Sequence, residues 1–311
     1  MNATGITRIA IVGAGLVGRA WAIVFARAGF DVAVHDASAS TLANVTAAIE
    51  ASLRELTEYG LLAEPVAAVI ARIRVEPSLA AALDGAGYVQ ESVIENVELK
   101  RSVHAAIAAA AAPGAIQASS TSGIPASQWS EGLGTRANCL VAHPINPPHV
   151  VPLVEVCPAP WTAPEVVERV IALQQAAGQS PIVLRREVNG FVVNRLQGAL
   201  LSEAFRLYAD GVASAEDIDK TIRDGLGLRW SFMGPFETID LNAPGGIADY
   251  CARFGPLYYQ LGREGEPREW QRSLVEKIER ERRQVLGADG LADRSAWRDR
   301  RLMALMAFKR G

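Results

Sequence analysis

Apolar positions in the first half of the chain recur in two rhythms. Short runs rich in Val, Ile and Ala alternate with longer Ala- and Leu-rich stretches whose apolar residues repeat at helical spacing. The short runs predict strands over 8–12, 31–35, 88–91, 115–119, 139–142 (CLVA), 150–156 (VVPLVEV) and 181–184 (PIVL). The longer stretches predict helices over 16–28, 40–59, 95–112 and 165–177. The alanine run 105–112 reads as helix because Val103 and Ile107 keep an apolar face. Such alternation predicts a mostly parallel sheet with helices on both faces. From Val192 onward the pattern is helical, as over 191–208, with no convincing strand and no internal repeat. The chain of 311 residues is long enough for two domains, and the change of character falls near 185–190. The expectation is an α/β domain over 1–188 followed by an all-α domain over 189–311.

The first strand runs into Gly13-Ala14-Gly15-Leu16-Val17-Gly18, a G-x-G-x-x-G that opens the first helix. Alone, such a loop is a weak signal and equally describes a tight turn. Here a strand precedes it, a helix follows it, and Asp36 ends the next strand, which is the setting of a dinucleotide-binding fingerprint. Gly13 permits the turn, Gly15 lets backbone approach a pyrophosphate, and Gly18 lets helix and strand pack closely. Leu16 and Val17 begin the helix whose N-terminal amides would face the phosphates. Asp36 would accept from ribose hydroxyls. The next residues, Ala37, Ser38, Ala39 and Ser40, offer no cation for a 2′-phosphate, so NAD is favoured over NADP. The first domain is therefore of Rossmann type.

Composition removes several other functions. A net charge of −3 and a pI near 5.9 leave no basic footprint for nucleic acid. The charge run EKIERERR (276–283) mixes signs and reads as a solvated helix face. No apolar stretch is long enough to cross a bilayer, and MNATGITRIAIVGAG lacks a signal-peptide pattern. The three cysteines, Cys139, Cys157 and Cys251, have no C-x-x-C spacing, which argues against a disulfide framework or a metal site. The sequons at Asn2 and Asn44 read as chance matches. The chain reads as soluble and cytoplasmic, without nucleic-acid or membrane partners.

Residues 141–156, VAHPINPPHVVPLVEV, carry the second chemical signal. His143 ends one apolar run and Glu155 sits inside the next, across a proline-rich bend over 144–149. Strand side chains alternate, so Val151, Leu153 and Glu155 share a face, and a carboxylate on an apolar face needs a partner. His143 is the natural one, and a histidine oriented by a carboxylate is a general base with a defined tautomer. From these residues alone, a core histidine beside an unrelated edge-strand carboxylate stands as the other reading.

The motifs GAGLVG, QESVIENVELK, ASSTSG, AHPINPPHVVPLVEV, NGFVVNRL and GLRWSFMGPFETIDLN occur in order over almost the whole chain. Together they resemble the L-3-hydroxyacyl-CoA dehydrogenase superfamily, and within it the lambda-crystallin / L-gulonate 3-dehydrogenase branch. The resemblance implies that His143 is the catalytic base and Glu155 its orienting carboxylate. It implies that Ser122 hydrogen-bonds the substrate hydroxyl and that Asn194 contacts the same oxygen. It places Glu95, Lys100 and Asn146 beside the cofactor, with Ser119 and the Glu91 region along it. Plainer roles compete: Ser122 as a turn residue, Asn194 as a helix cap, Lys100 as a solvated lysine. The implied active site lies between the domains, and the second domain is implied to form a homodimer interface.

Arg229, in the R-W pair before SFMGPF, is the residue that bears on substrate. A matching arginine occurs in the gulonate branch, and a guanidinium can grip a carboxylate bidentately. A structural arginine bonded to helix carbonyls is the competing reading. The implied function is NAD-dependent oxidation of the 3-hydroxyl of an L-3-hydroxy acid, L-gulonate to 3-dehydro-L-gulonate. The alternatives are a 3-hydroxyacyl-CoA dehydrogenase acting on 3-hydroxybutyryl-CoA, and a non-catalytic NADH-binding protein of the crystallin kind.

Overall fold

The computed structural model describes residues 5–310. Asn2, with its sequon, lies outside them. The elements in chain order are β1 (Arg8–Val12), α1 (Leu16–Arg27), β2 (Asp31–His35), α2 (Ala39–Glu58), α3 (Val66–Ile70), β3 (Ile73–Val75), α4 (Leu79–Leu83) and β4 (Tyr88–Glu91). Then come α5 (Val97–Ala110), β5 (Ile116–Ser119), α6 (Ser127–Ser130), β6 (Cys139–Pro144), β7 (Leu153–Pro158), α7 (Pro164–Ala176) and β8 (Ser180–Val183). The rest is helical: α8 (Val193–Ala209), α9 (Ala215–Lys220), a π-helical turn (Thr221–Leu226), α10 (Gly227–Trp230), α11 (Pro235–Asp240), α12 (Gly246–Glu264), α13 (Arg272–Val285) and α14 (Leu291–Arg310).

The eight strands form one sheet in the order β3-β2-β1-β4-β5-β6-β7-β8. Every pairing is parallel except β6 with β7. The central strand β1 buries residues 9–12 on both faces, because helices cover both sides. The order reverses between β1 and β4, so their carboxyl ends flank a crevice of the kind that holds ligands in open α/β sheets. Eight residues of α1 are buried, which makes it a core helix. In contrast, α2 buries one stripe, Val45, Ile49, Leu53 and Leu56, and Ser38 caps its start by accepting from the Thr41 amide.

Two local expectations change. The predicted strand over 150–156 begins only at Leu153. Val150 and Val151 both donate to the Pro147 carbonyl (2.9 Å each), and Pro152 has no N–H for a ladder. The short edge strand β3 escapes pattern reading, because three residues with half-exposed side chains carry no periodicity.

By contacts the chain divides into Met1–Asn194 with Arg294–Gly311, and Arg195–Asp293. The end of α14 thus belongs with the sheet unit, where Met303 is buried in its core. The expected division placed residues 294–311 with the second domain. Within the helical unit Tyr208 donates to Glu281 (2.6 Å), and Phe205 stacks on Trp270 with centroids 4.2 Å apart. Only Tyr208 and Thr238 of residues 195–293 are buried.

Candidate active site

The glycine loop has a separate steric reason at each glycine. Gly13 has a φ of 99°, and a Cβ there would lie 2.7 Å from the Ser92 backbone. A Cβ on Gly18 would meet the Gly13 carbonyl oxygen at 1.8 Å. A Cβ on Gly15 would meet nothing within 4 Å, so that position faces open space. Gly15 is also the N-cap of α1 and no side chain caps the helix, which leaves its first amides unsatisfied. Leu16 is exposed beside them, while Val17 packs against the core. Asp36 accepts from the Ala14 amide (2.7 Å) and the Ser38 amide (2.8 Å), fixing its carboxylate against the loop. Open backbone, free helix amides and a carboxylate with no cation over 37–40 fit a dinucleotide without a 2′-phosphate.

The β6–β7 hairpin explains the carboxylate in the strand. His143 and Glu155 are direct partners in the antiparallel register, and directly opposed residues project from the same face. His143 Nδ1 lies 2.7 Å from Glu155 Oε2. Glu155 is fully buried, and its Oε1 accepts from the amides of Val192 (2.8 Å) and Val193 (3.0 Å) at the start of α8. That helix was expected from Phe191. It starts at Val193, because Phe191 takes the left-handed conformation (φ 50°) that turns both amides toward Glu155. Burial pushes the Glu155 pKa up, but hydrogen bonds from His143 and both amides outweigh it and hold the carboxyl below its ordinary range. An ionised carboxylate only accepts, so Nδ1 carries the proton and Nε2 offers its lone pair. No described residue hydrogen-bonds that Nε2. The Phe191 ring lies 5.4 Å from the imidazole, restricting its tilt.

Ser122 and Asn194 are brought together: Asn194 Nδ2 donates to the Ser122 carbonyl (2.7 Å). The Ser122 hydroxyl is exposed and has no partner among the described residues. Glu95 holds this turn from the other side. Its Oε1 accepts from the Ser122 amide (3.0 Å), the Gly123 amide (3.1 Å) and Thr121 Oγ1 (2.5 Å). Lys100 is only 1% exposed, and its Nζ faces Glu91 (2.9 Å) and Glu95 (3.6 Å). Glu91 and Ser119 are likewise fully buried. Asn146 is exposed on the bend after His143. Arg229 lies on α10 of the helical unit, exposed, with no ion pair or hydrogen bond from its guanidinium among the described residues.

Sequence reasoning missed His104, which is fully buried between Glu91 and Gln117 and stacks on Trp129. A signal existed: Lys100, His104 and Ile107 occupy the core stripe of α5, where two cationic residue types need buried partners. Burial raises the Glu91 pKa, but the hydrogen bond and electrostatic pull of His104, then Lys100 and Ser119, bring it down to about 2.

Fold and site together define an NAD-dependent dehydrogenase. Residues 8–188 match the model of the 3-hydroxyacyl-CoA dehydrogenase NAD-binding domain, and residues 190–288 match that of its C-terminal domain. The chain belongs to the 3-hydroxyacyl-CoA dehydrogenase family. It is 41% identical over 306 residues to the lambda-crystallin homolog of Bos taurus, covering 97% of this chain and 95% of that protein. It is 37% identical over 296 residues to an L-carnitine dehydrogenase of Streptomyces griseus subsp. griseus, covering 95% and 88%. Among solved structures it is similar to 5-formyl-3-hydroxy-2-methylpyridine 4-carboxylic acid 5-dehydrogenase, an NAD+-dependent dismutase. That match has a TM-score of 0.83 and 27% identity, over 98% of each chain.

Proposed function

We propose that the chain oxidises the 3-hydroxyl of a free L-3-hydroxy acid, with L-gulonate the first candidate and 3-dehydro-L-gulonate its product. The observation that carries the choice of a free acid is the Arg229 guanidinium, which no carboxylate among the described residues engages. A bidentate arginine–carboxylate pair is a strong recognition element, and a thioester offers no such group. Similarity to an L-carnitine dehydrogenase supports the same reading, because carnitine is itself a 3-hydroxy acid.

The chemistry NAD supplies is acceptance of a hydride from the carbinol carbon. The chain supplies the rest. His143 Nε2 takes the hydroxyl proton as the C–O bond becomes C=O, and Glu155 holds Nδ1 and stabilises the resulting imidazolium. Ser122 Oγ donates to the substrate oxygen, and Asn194 fixes the turn that carries Ser122. Asn146 flanks the base on its bend, and Asp36 meets the ribose. The glycine loop takes the pyrophosphate.

We also propose a homodimer formed by the helical unit. Its residues 195–293 bury only two side chains, while Phe236 (74% exposed), Leu241 (66%) and Tyr259 (70%) face outward. An apolar surface of that kind marks an interface. All three cysteines are free, which suits a reducing compartment such as the cytoplasm.

NADH formation on L-gulonate, 3-hydroxybutyrate, L-carnitine and 3-hydroxybutyryl-CoA tests the substrate class. A free acid should give the highest kcat/KM. Arg229→Ala should raise KM for that acid about tenfold to a hundredfold, the loss expected for a charged hydrogen-bonded pair, and leave the thioester unchanged. Highest kcat/KM on the thioester would assign the chain to the hydroxyacyl-CoA reading that its family name favours.

A further inference from the structure

The proposed chemistry leaves a second buried carboxylate unused. Glu91 ends β4 and has no solvent contact. Its Oε1 accepts from the Val93 amide (2.6 Å) and from Lys100 Nζ (2.9 Å). Its Oε2 accepts from Ser119 Oγ (2.6 Å) and Lys100 Nζ (3.1 Å), and faces His104 Nε2 at 3.3 Å. A side chain so enclosed touches neither substrate nor cofactor. Two of its partners, Ser119 and Lys100, lead instead to the turn that carries Ser122.

Two arms run from Glu91 to that turn. In one, Ser119 Oγ accepts from the Thr121 amide at 3.2 Å. In the other, Lys100 Nζ sits 3.6 Å from Glu95 Oε2, while Glu95 Oε1 holds the Ser122 and Gly123 amides. Beneath both, His104 stacks on Trp129 with centroids 3.7 Å apart, and its Nδ1 lies 3.0 Å from Gln117 Oε1. Lys100 and His104 are four apart on α5, so one helix face grips the carboxylate from two positions.

We propose that Glu91 is a positioning residue for the reaction, setting the height and direction of the Ser122 hydroxyl through Ser119 and through the Lys100–Glu95 pair. This rests on the role given to Ser122 above. The design is directional: the low-dielectric interior strengthens each charged hydrogen bond and lets none of the donors swing toward water. The cost of losing it is misplacement, where a shift of about 1 Å lowers the rate by up to about a hundredfold.

The test is the double variant E91Q/K100M. It removes both members of the buried Glu91–Lys100 ion pair at nearly constant volume. Cooperative unfolding should persist, and kcat at saturating NAD should fall about tenfold to a hundredfold. Placed on Ser122→Ala, the same two changes should lower kcat by no more than about twofold further, because the hydroxyl they position is already gone. An unchanged kcat overturns the proposal. So does an equal loss on the Ser122→Ala background. Ser122→Ala alone checks the parent reading, since a normal kcat there removes the role of Ser122 whatever Glu91 does. If E91Q/K100M does not fold, Ser119→Ala decides: it deletes one hydroxyl from one arm. Its kcat should fall about threefold or more, the loss should vanish on Ser122→Ala, and an unchanged kcat overturns the proposal.

Discussion

A carboxylate inside a strand, with no solvent contact, is tolerable at Glu155 only because three donors surround it. Each of those donors also has a chemical consequence. The two amides hold the carboxyl ionised, the ionised carboxyl fixes the His143 tautomer, and the tautomer leaves Nε2 as a base. His143→Ala should therefore abolish NADH formation while leaving NADH binding within about twofold by fluorescence titration, since it removes only the proton acceptor. Glu155→Gln keeps the shape but can favour the wrong tautomer, and kcat should drop by about a hundredfold to ten-thousandfold. Retained turnover in His143→Ala would overturn the base assignment.

Among the elements, the antiparallel β6–β7 pair and the β1–α1 turn carry the site for different physical reasons. The hairpin works by register: slipping it one residue would move Glu155 to the opposite face and separate it from His143. The turn works by absence of side chains. Gly15 has open space where a Cβ would go, whereas Gly18 has the Gly13 carbonyl. Gly15→Ala should thus leave the melting temperature within about 2 °C, because it clashes with nothing in the protein. It should still weaken NADH binding at least about tenfold by crowding the pyrophosphate. Gly18→Ala should lower both the melting temperature and the affinity. Calorimetry beside a binding titration checks the contrast, and equal behaviour of the two variants would contradict it.

For the whole molecule, burial is uneven. The sheet unit has a continuous core from Ile6 to Met303, and α14 returns to it with Arg310 reaching the Leu61 carbonyl. The helical unit has almost no buried side chains of its own. A second copy would supply the missing cover, and sedimentation should report a dimer at micromolar concentration. Phe236→Glu with Leu241→Glu should shift it toward monomer, because burying either charge at an apolar interface is costly. A monomeric native protein would remove the proposal.

Local pattern was enough for the strand–helix alternation, the glycine fingerprint and the change to helix after Val192, because backbone hydrogen bonding imposes its periods on neighbours in sequence. It also marked Glu155 as needing a partner. It left open whether His143 was that partner, since the answer lies in a pairing twelve residues apart across a bend. The Val192 and Val193 amides and the left-handed Phe191 were not legible either. Each depends on where distant segments meet, and a buried charge takes whatever donor the fold places beside it. The residues announced a dinucleotide-binding domain and a strand carboxylate in need of a partner; the packing of β4, β5 and α5 determined what holds the surrounding turns in place.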